Sequence, residues 1–105
     1  GTLKKRQVVE SDSSIVILGD VELGAKVIAR GNVVIVGSLY GSVHAGAYGD
    51  DASYVVALDM RPKRLRIGNV EARRQIVYQE SLDIKGAKIA TVDSGRIYLD
   101  PLVED

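Results

Sequence analysis

Between Ile15 and Gly49, short apolar runs are separated by glycine-marked breaks, and the pattern is written twice, eighteen residues apart. When Ile15 to Asn32 is laid over Val33 to Asp50, Val16 falls on Val34, Ile17 on Ile35, Gly19 on Gly37 and Val21 on Leu39. Ala25 falls on Val43, Ala29 on Ala47 and Gly31 on Gly49. A fixed internal period is the signature of a solenoid, whose repeats bury their apolar faces against one another. The runs (IVIL and AKVIA, then VVIV and SVHAGA) have the length of strands and are too short for helices. Three such strands and three turns, at ~3.3 Å per residue, make the perimeter of a triangular prism filled by its own side chains. The expected fold is all-β, a right-handed parallel β-helix with a coil of about 18 residues. The usual hand of parallel crossovers and the missing six-residue rhythm of left-handed β-helices both favour that hand.

Three runs, Ile15 to Leu18, Val33 to Val36 and Tyr54 to Leu58, are apolar at every position and are expected to stack in one sheet. A strand covered on one side alternates apolar with polar, so continuous apolar runs imply cover on both sides. The prism interior covers one side. For the other, the simplest cover is a second copy across a two-fold axis. The nominated dimer face comprises Ile15, Val16, Ile17, Leu18, Val33, Val34, Ile35, Val36, Tyr54, Val55 and Val56. A lid formed by Glu71 to Lys85 is the alternative cover.

The remaining strands, Ala25 to Arg30, Ser42 to Ala47 and Arg64 to Gly68, alternate apolar with polar and are expected to meet water. The repeat puts Lys26 above His44, with Arg64 and Arg66 on the same side, as a basic stripe. It is either a soluble face that resists aggregation or a surface for an acidic peptide or another anionic partner. No aromatics lie between the cations, which disfavours nucleic acid. After Asn69 the rhythm fails, and Val70 to Lys85 reads either as an irregular coil or as a short helix leading to a strand at Ile76 to Tyr78. Ala87 to Thr91 and Arg96 to Leu99, around a turn at Asp93 to Gly95, are expected to be the last rungs. Asp100, Pro101, Glu104 and Asp105 then cap the stack.

Composition narrows the chemistry. The chain of 105 residues, 46% hydrophobic and with formal net charge zero, supports one domain and no bulk electrostatic partner. Residues 3–105 are taken as that domain, with Gly1 and Thr2 as an expression remnant. There is no cysteine and one histidine, so no disulfide or thiolate site is expected, and a reducing cytoplasm is the default setting. No apolar run approaches the length of a membrane span, and no leader is apparent. His44 lacks companion ligands for a metal. Asp50 and Asp51 read as turn formers rather than as a pair of catalytic carboxylates. No catalytic, metal or cofactor residue is assigned.

GDVELGAKVIARGNVVIVGSLYGSVHAGAYGDDA, followed by RLRIGN and KGAKIATVDSGRIYLDPL, resembles the C-terminal domain of the septum-site-determining MinC family over nearly the whole chain. The resemblance implies a β-helix that dimerises through one sheet face. It also implies a non-enzymatic adaptor that binds the ATP-bound dimer of the ATPase MinD and helps to keep FtsZ from assembling a septal ring away from midcell. The nucleotide and the membrane anchor then belong to MinD. The domain is cytoplasmic and reaches the inner membrane only through that partner. An N-terminal domain usual in the family is absent here, so the chain is expected to be a fragment. The family's MinD-binding motif, Arg-Ser-Gly-Gln, ends twelve residues before the first-coil glycine. Gln7 matches that spacing to Gly19, and Lys4, Lys5 and Arg6 stand where arginine, serine and glycine are usual. Lysine replaces the charge of arginine without its planar fork, and Arg6 gives up the backbone freedom of glycine. Apart from this resemblance, a polymerising β-helical scaffold of the bactofilin type remains the alternative function. An enzymatic β-helix lacks a convergent acid–base pair.

Overall fold

Each glycine-bounded apolar run becomes a strand, and the strands sort into two sheets according to which side of the prism they form. The computed structural model describes residues 1–72 and 86–102. One sheet contains β2 (Ile15–Leu18), β4 (Val33–Leu39), β6 (Val55–Met60), β9 (Lys88–Asp93) and β10 (Arg96–Pro101), in the spatial order β10-β9-β6-β4-β2. The other contains β1 (Val8–Ser11), β3 (Lys26–Ala29), β5 (Ser42–Ala45), β7 (Arg64–Ile67) and β8 (Val70–Glu71), in the order β1-β3-β5-β7-β8. We call these the apolar and the cationic sheet. A third, narrow side is marked by parallel bridges from Leu3 to Val21 and from Val21 to Leu39. The described residues are all β and contain no helix. They form a parallel β-helix over the first three coils.

Alternation within each strand fills the interior. Val27, Val33, Ile35, Leu39, Val55, Leu65 and Ile67 all point inward and are buried, and burying each such side chain contributes about 1.5–3 kcal/mol. Register follows from this alternation, because a one-residue slip turns an entire strand inside out. Ile15 pairs with Val33, and Val33 with Val55.

A constant period does not hold throughout. On the apolar sheet the first step is eighteen residues, Ile15 to Val33. On the cationic sheet Lys26 lies beside Ser42, sixteen residues on. The reason is a corner. Glu22 to Ala25 fills the space between Val21 and Lys26, whereas only Tyr40 and Gly41 separate Leu39 from Ser42. Val27 therefore pairs with Val43, not Ala25 with Val43 as the even repeat implies. A slip of two keeps every side chain on its own face, so the core tolerates it. At the next corner the chain lengthens again, with 46–54 joining β5 to β6 where 30–32 joined β3 to β4.

Side chains tie the corners together. The Asn32 N–H donates to Ser14 Oγ (2.9 Å), and Asn32 Oδ1 accepts from the Tyr54 N–H (2.9 Å), linking three coils through one residue. Asp20 Oδ1 accepts from the Ser38 N–H at 2.7 Å in the same way. Replacing Asn32 by alanine leaves the half-buried Tyr54 N–H without its acceptor. The expected loss is about 1–2 kcal/mol, read as a lower urea midpoint at unchanged slope.

The last rungs differ from the expectation. β9 runs antiparallel to β6, and β10 antiparallel to β9. Asp93 and Arg96 are joined through Ser94 and Gly95, with φ of 52° and 74°. Two consecutive left-handed residues form the tight hairpin turn that suits the twist of antiparallel strands, whereas parallel strands need a long crossover. β7 and β8 form a second hairpin through Gly68 and Asn69. The lid formed by Glu71 to Lys85 and the strand at Ile76 to Tyr78 fall on 73–85, outside the described residues apart from Glu71 and Ala72. So do Glu104 and Asp105 of the tail. Lys88 turns inward from β9 and is buried, with its Nζ 3.4 Å from the Gly86 carbonyl oxygen.

Candidate partner-binding site

The basic triplet at the N-terminus lies on a tight turn. The Lys4 carbonyl accepts from the Gln7 N–H at 2.9 Å, and the Lys4 N–H donates to Gln7 Oε1 at 2.6 Å. Arg6, the third residue of the turn, has φ of 73°. A positive φ at that position alone is the type II signature and normally calls for glycine. The next coil has the same turn eighteen residues on. There the Ala25 N–H donates to the Glu22 carbonyl (2.9 Å), and Gly24 has φ of 91°. Arg6 therefore occupies the glycine position of its coil, and its N–H donates to the Gly24 carbonyl at 3.0 Å. The aliphatic stem of Lys5 lies over Gly24, where an added Cβ would come within 2.7 Å of Lys5 Cγ. Gln7 holds the turn closed with its side-chain oxygen, and the cationic groups of Lys4, Lys5 and Arg6 stand in solvent. Replacing Arg6 by glycine relieves the left-handed strain and is expected to stabilise the domain by about 1 kcal/mol, measured as a higher urea midpoint.

The nominated dimer face divides by alternation. Ile17, Val33, Ile35 and Val55 point inward as core, and Ile15 packs half-buried against it. Val16, Val34 and Val56 alternate to the outer side in one row that continues to Ile89, with Val16 exposed, Val34 and Ile89 half-buried and Val56 buried. Leu18 and Val36 are neighbours in a second exposed row, and Leu58 of β6 is exposed as well. Tyr54 is half-buried at the corner that leads into β6. Leu58 was missing from the nominated set although it ends the third apolar run. The outer surface of the apolar sheet is thus a stripe of branched aliphatic side chains, with Leu18 68% and Val16 61% exposed.

Lys26, His44, Arg64 and Arg66 share one face of the cationic sheet, in offset rows. Lys26, Ser42 and Arg64 form one row and Ile28, His44 and Arg66 the next. Lys26 is therefore not above His44, for the corner reason given above. Glu71 follows Arg66 across the β7–β8 hairpin. These residues line a shallow groove of about 150 Å³. His44 Nε2 lies 3.0 Å from the Gly68 carbonyl oxygen and so carries the proton it donates. Among the described residues no group of three or more His, Cys, Asp or Glu side chains is placed to hold a metal ion. Asp50 caps its own turn, and Asp51 reaches the backbone of the next coil. Asp50 Oδ1 accepts from the Ala52 N–H at 2.9 Å, and Asp51 Oδ1 from the Asn69 N–H at 3.0 Å. Among the described residues no helix is long and apolar enough to cross a membrane.

An apolar sheet face, a cationic sheet face and a projecting cationic turn on a rigid coil define a β-helical interaction module. Residues 1–102 match the family profile described as septum formation inhibitor MinC, C-terminal domain. The chain belongs to that family, whose name denotes inhibition of septum formation in cell division. It is 42% identical over its whole length to the probable septum site-determining protein MinC of Agathobacter rectalis, covering 46% of that protein. It is 44% identical over 96% of its length to the counterpart from Prochlorococcus marinus, covering 44% of it. The chain thus spans about half the length of the curated relatives it matches. In structure it resembles a chain of the MinC:MinD cell division protein complex of Aquifex aeolicus, with a TM-score of 0.87 at 34% identity, over 99% of this chain and 84% of that one.

Proposed function

We propose that this domain dimerises through the outer face of the apolar sheet and binds the ATP-bound dimer of MinD through the Lys4 to Gln7 turn. The consequence is inhibition of FtsZ ring assembly away from midcell. The observation that carries the reading is the turn itself. Its third residue takes the positive φ that Gly24 takes one coil on, a conformation suited to the glycine usual in the family motif, and it presents three cationic side chains, on a coil that matches a chain of a MinC:MinD complex. ATP is MinD's ligand, and this domain brings no cofactor of its own. The domain reaches the inner membrane from the cytoplasm only as MinD's passenger. The row Lys26–Ser42–Arg64 suits an acidic protein surface, while the row beside it, Ile28–His44–Arg66, is closed at its two ends by Glu10 and Glu71; no nucleic acid is involved.

Light scattering of this domain with MinD, in ATP and in ADP, tests the proposal. Association in ATP alone is expected, and the scattered intensity gives the size of the assembly. No association in either state, from a folded dimer, overturns the MinD assignment. Filaments formed by the domain alone would support the polymerising scaffold instead.

A further inference from the structure

The first coil is open on its outer side, and its geometry specifies what would close it. Leu3 already stacks on the coil that follows it, its N–H donating to the Asp20 carbonyl at 2.8 Å and its own carbonyl accepting from the Glu22 N–H at 2.9 Å. Gly1 and Thr2, set aside above as an expression remnant, fall within the family match and keep the same eighteen-residue offset. Gly1 lies so close over Gly19 that a Cβ there would meet the Gly1 carbonyl carbon at 2.8 Å, and Thr2 Oγ1 accepts from the Asp20 N–H at 3.4 Å. The chain therefore enters the domain beside the C-terminal end of β2, one coil ahead of it and in register. Run back by that offset, the four residues immediately ahead of Gly1 fall opposite Ile15, Val16, Ile17 and Leu18.

β2 is an edge strand. Ile15 donates to the Asn32 carbonyl (2.9 Å) and Gly19 to the Val36 carbonyl (3.2 Å), both toward β4. Alternation along a strand turns the N–H groups of Val16 and Leu18 the other way, to the open edge. Beside that edge is an apolar hollow of about 350 Å³, lined by Gly1, Leu3, Val9 and β2. An apolar strand with a free row of donors and acceptors, and no proline or inward charge to blunt it, is a template for one more strand.

We propose that this edge accepts the polypeptide leading into Gly1 in the longer protein, as a parallel strand on β2 that completes a further coil and fills the hollow. The relatives are about twice as long as this chain and match it as a C-terminal domain, so in them more chain arrives at this corner. A strand supplied from there needs no loop, because the register is set by residues 1–3. The inference is independent of which partner the Lys4 to Gln7 turn binds.

Residue-resolved hydrogen exchange on this chain and on the natural longer chain tests it. The amides of Val16 and Leu18 are expected to exchange at least tenfold more slowly in the longer chain, with those of Ile35 and Val43 unchanged. A proline placed two residues ahead of Gly1 should return both to the fast rate without altering the circular dichroism. Equal rates for Val16 and Leu18 in the two chains would overturn the proposal. So would slowing in the short chain that grows with protein concentration, which would assign the edge to a second copy.

Discussion

Replacing Lys4, Lys5 and Arg6 together by alanine is expected to abolish binding to MinD while the domain stays folded. The turn does not depend on these side chains. Its closing bonds run from the Gln7 N–H to the Lys4 carbonyl, from the Lys4 N–H to Gln7 Oε1 and from the Arg6 N–H to the Gly24 carbonyl. Alanine at position 6 bears the same left-handed strain as arginine, so stability should change little. What is lost is three exposed cations on one corner. Charge-assisted bonds to a partner contribute about 1.5–3 kcal/mol each, so even two of them account for more than a hundredfold in affinity. Binding of the parent domain should also weaken as salt rises, because the contacts are exposed charges. Light scattering with MinD and ATP reads the loss, and a urea melt confirms the fold. Unchanged affinity would move the site off this turn. Changing Lys4 to Arg, Lys5 to Ser and Arg6 to Gly restores the family motif and keeps one cation of the three, so it is expected to bind more tightly than the triple-alanine variant.

Val34→Asp is expected to convert the dimer to a monomer. By register Val34 lies between Val16 and Val56 in the outward row of the apolar sheet, and in the proposed dimer a two-fold partner on that face covers it. An aspartate there is hydrated in the monomer and loses its water in the dimer, with no cation opposite. An unpaired buried charge costs several kcal/mol, enough to weaken association more than a hundredfold. The cost to the monomer is only the β-propensity of one partly exposed position, about 1 kcal/mol. Sedimentation at micromolar concentration should show half the parent mass, with unchanged circular dichroism. A variant that still sediments as a dimer would show that the copies meet elsewhere.

The repeat was legible because parallel stacking imposes the same inward alternation on every coil, so Val16 over Val34 and Ile17 over Ile35 could be read directly and match the observed register. Corner length is not constrained in this way. Nothing inside the prism distinguishes Glu22 to Ala25 from Tyr40 and Gly41, so an even period carried Lys26 to His44 when its neighbour is Ser42. The apolar runs showed that both faces needed cover, but separating core Ile35 from outward Val34 required the pleat. The terminal hairpin was signalled by Ser94 and Gly95. A turn so short reverses the chain, so the rungs it joins cannot be parallel. The strain at Arg6 was foreseeable only from the family's glycine, since nothing in KKRQ itself demands a positive φ.

The two reversals at the far end matter for how such coils grow. A parallel stack has no internal measure of its own length, and each coil is a template for the next. Here the β9–β10 hairpin ends the apolar sheet with strands of opposite polarity and a Pro101 that has no N–H to offer. In the language of polymerisation, the two edges of the described apolar sheet are unlike: β2 offers a parallel template and β10 an antiparallel one. Head-to-tail growth requires two complementary ends, and these two do not match.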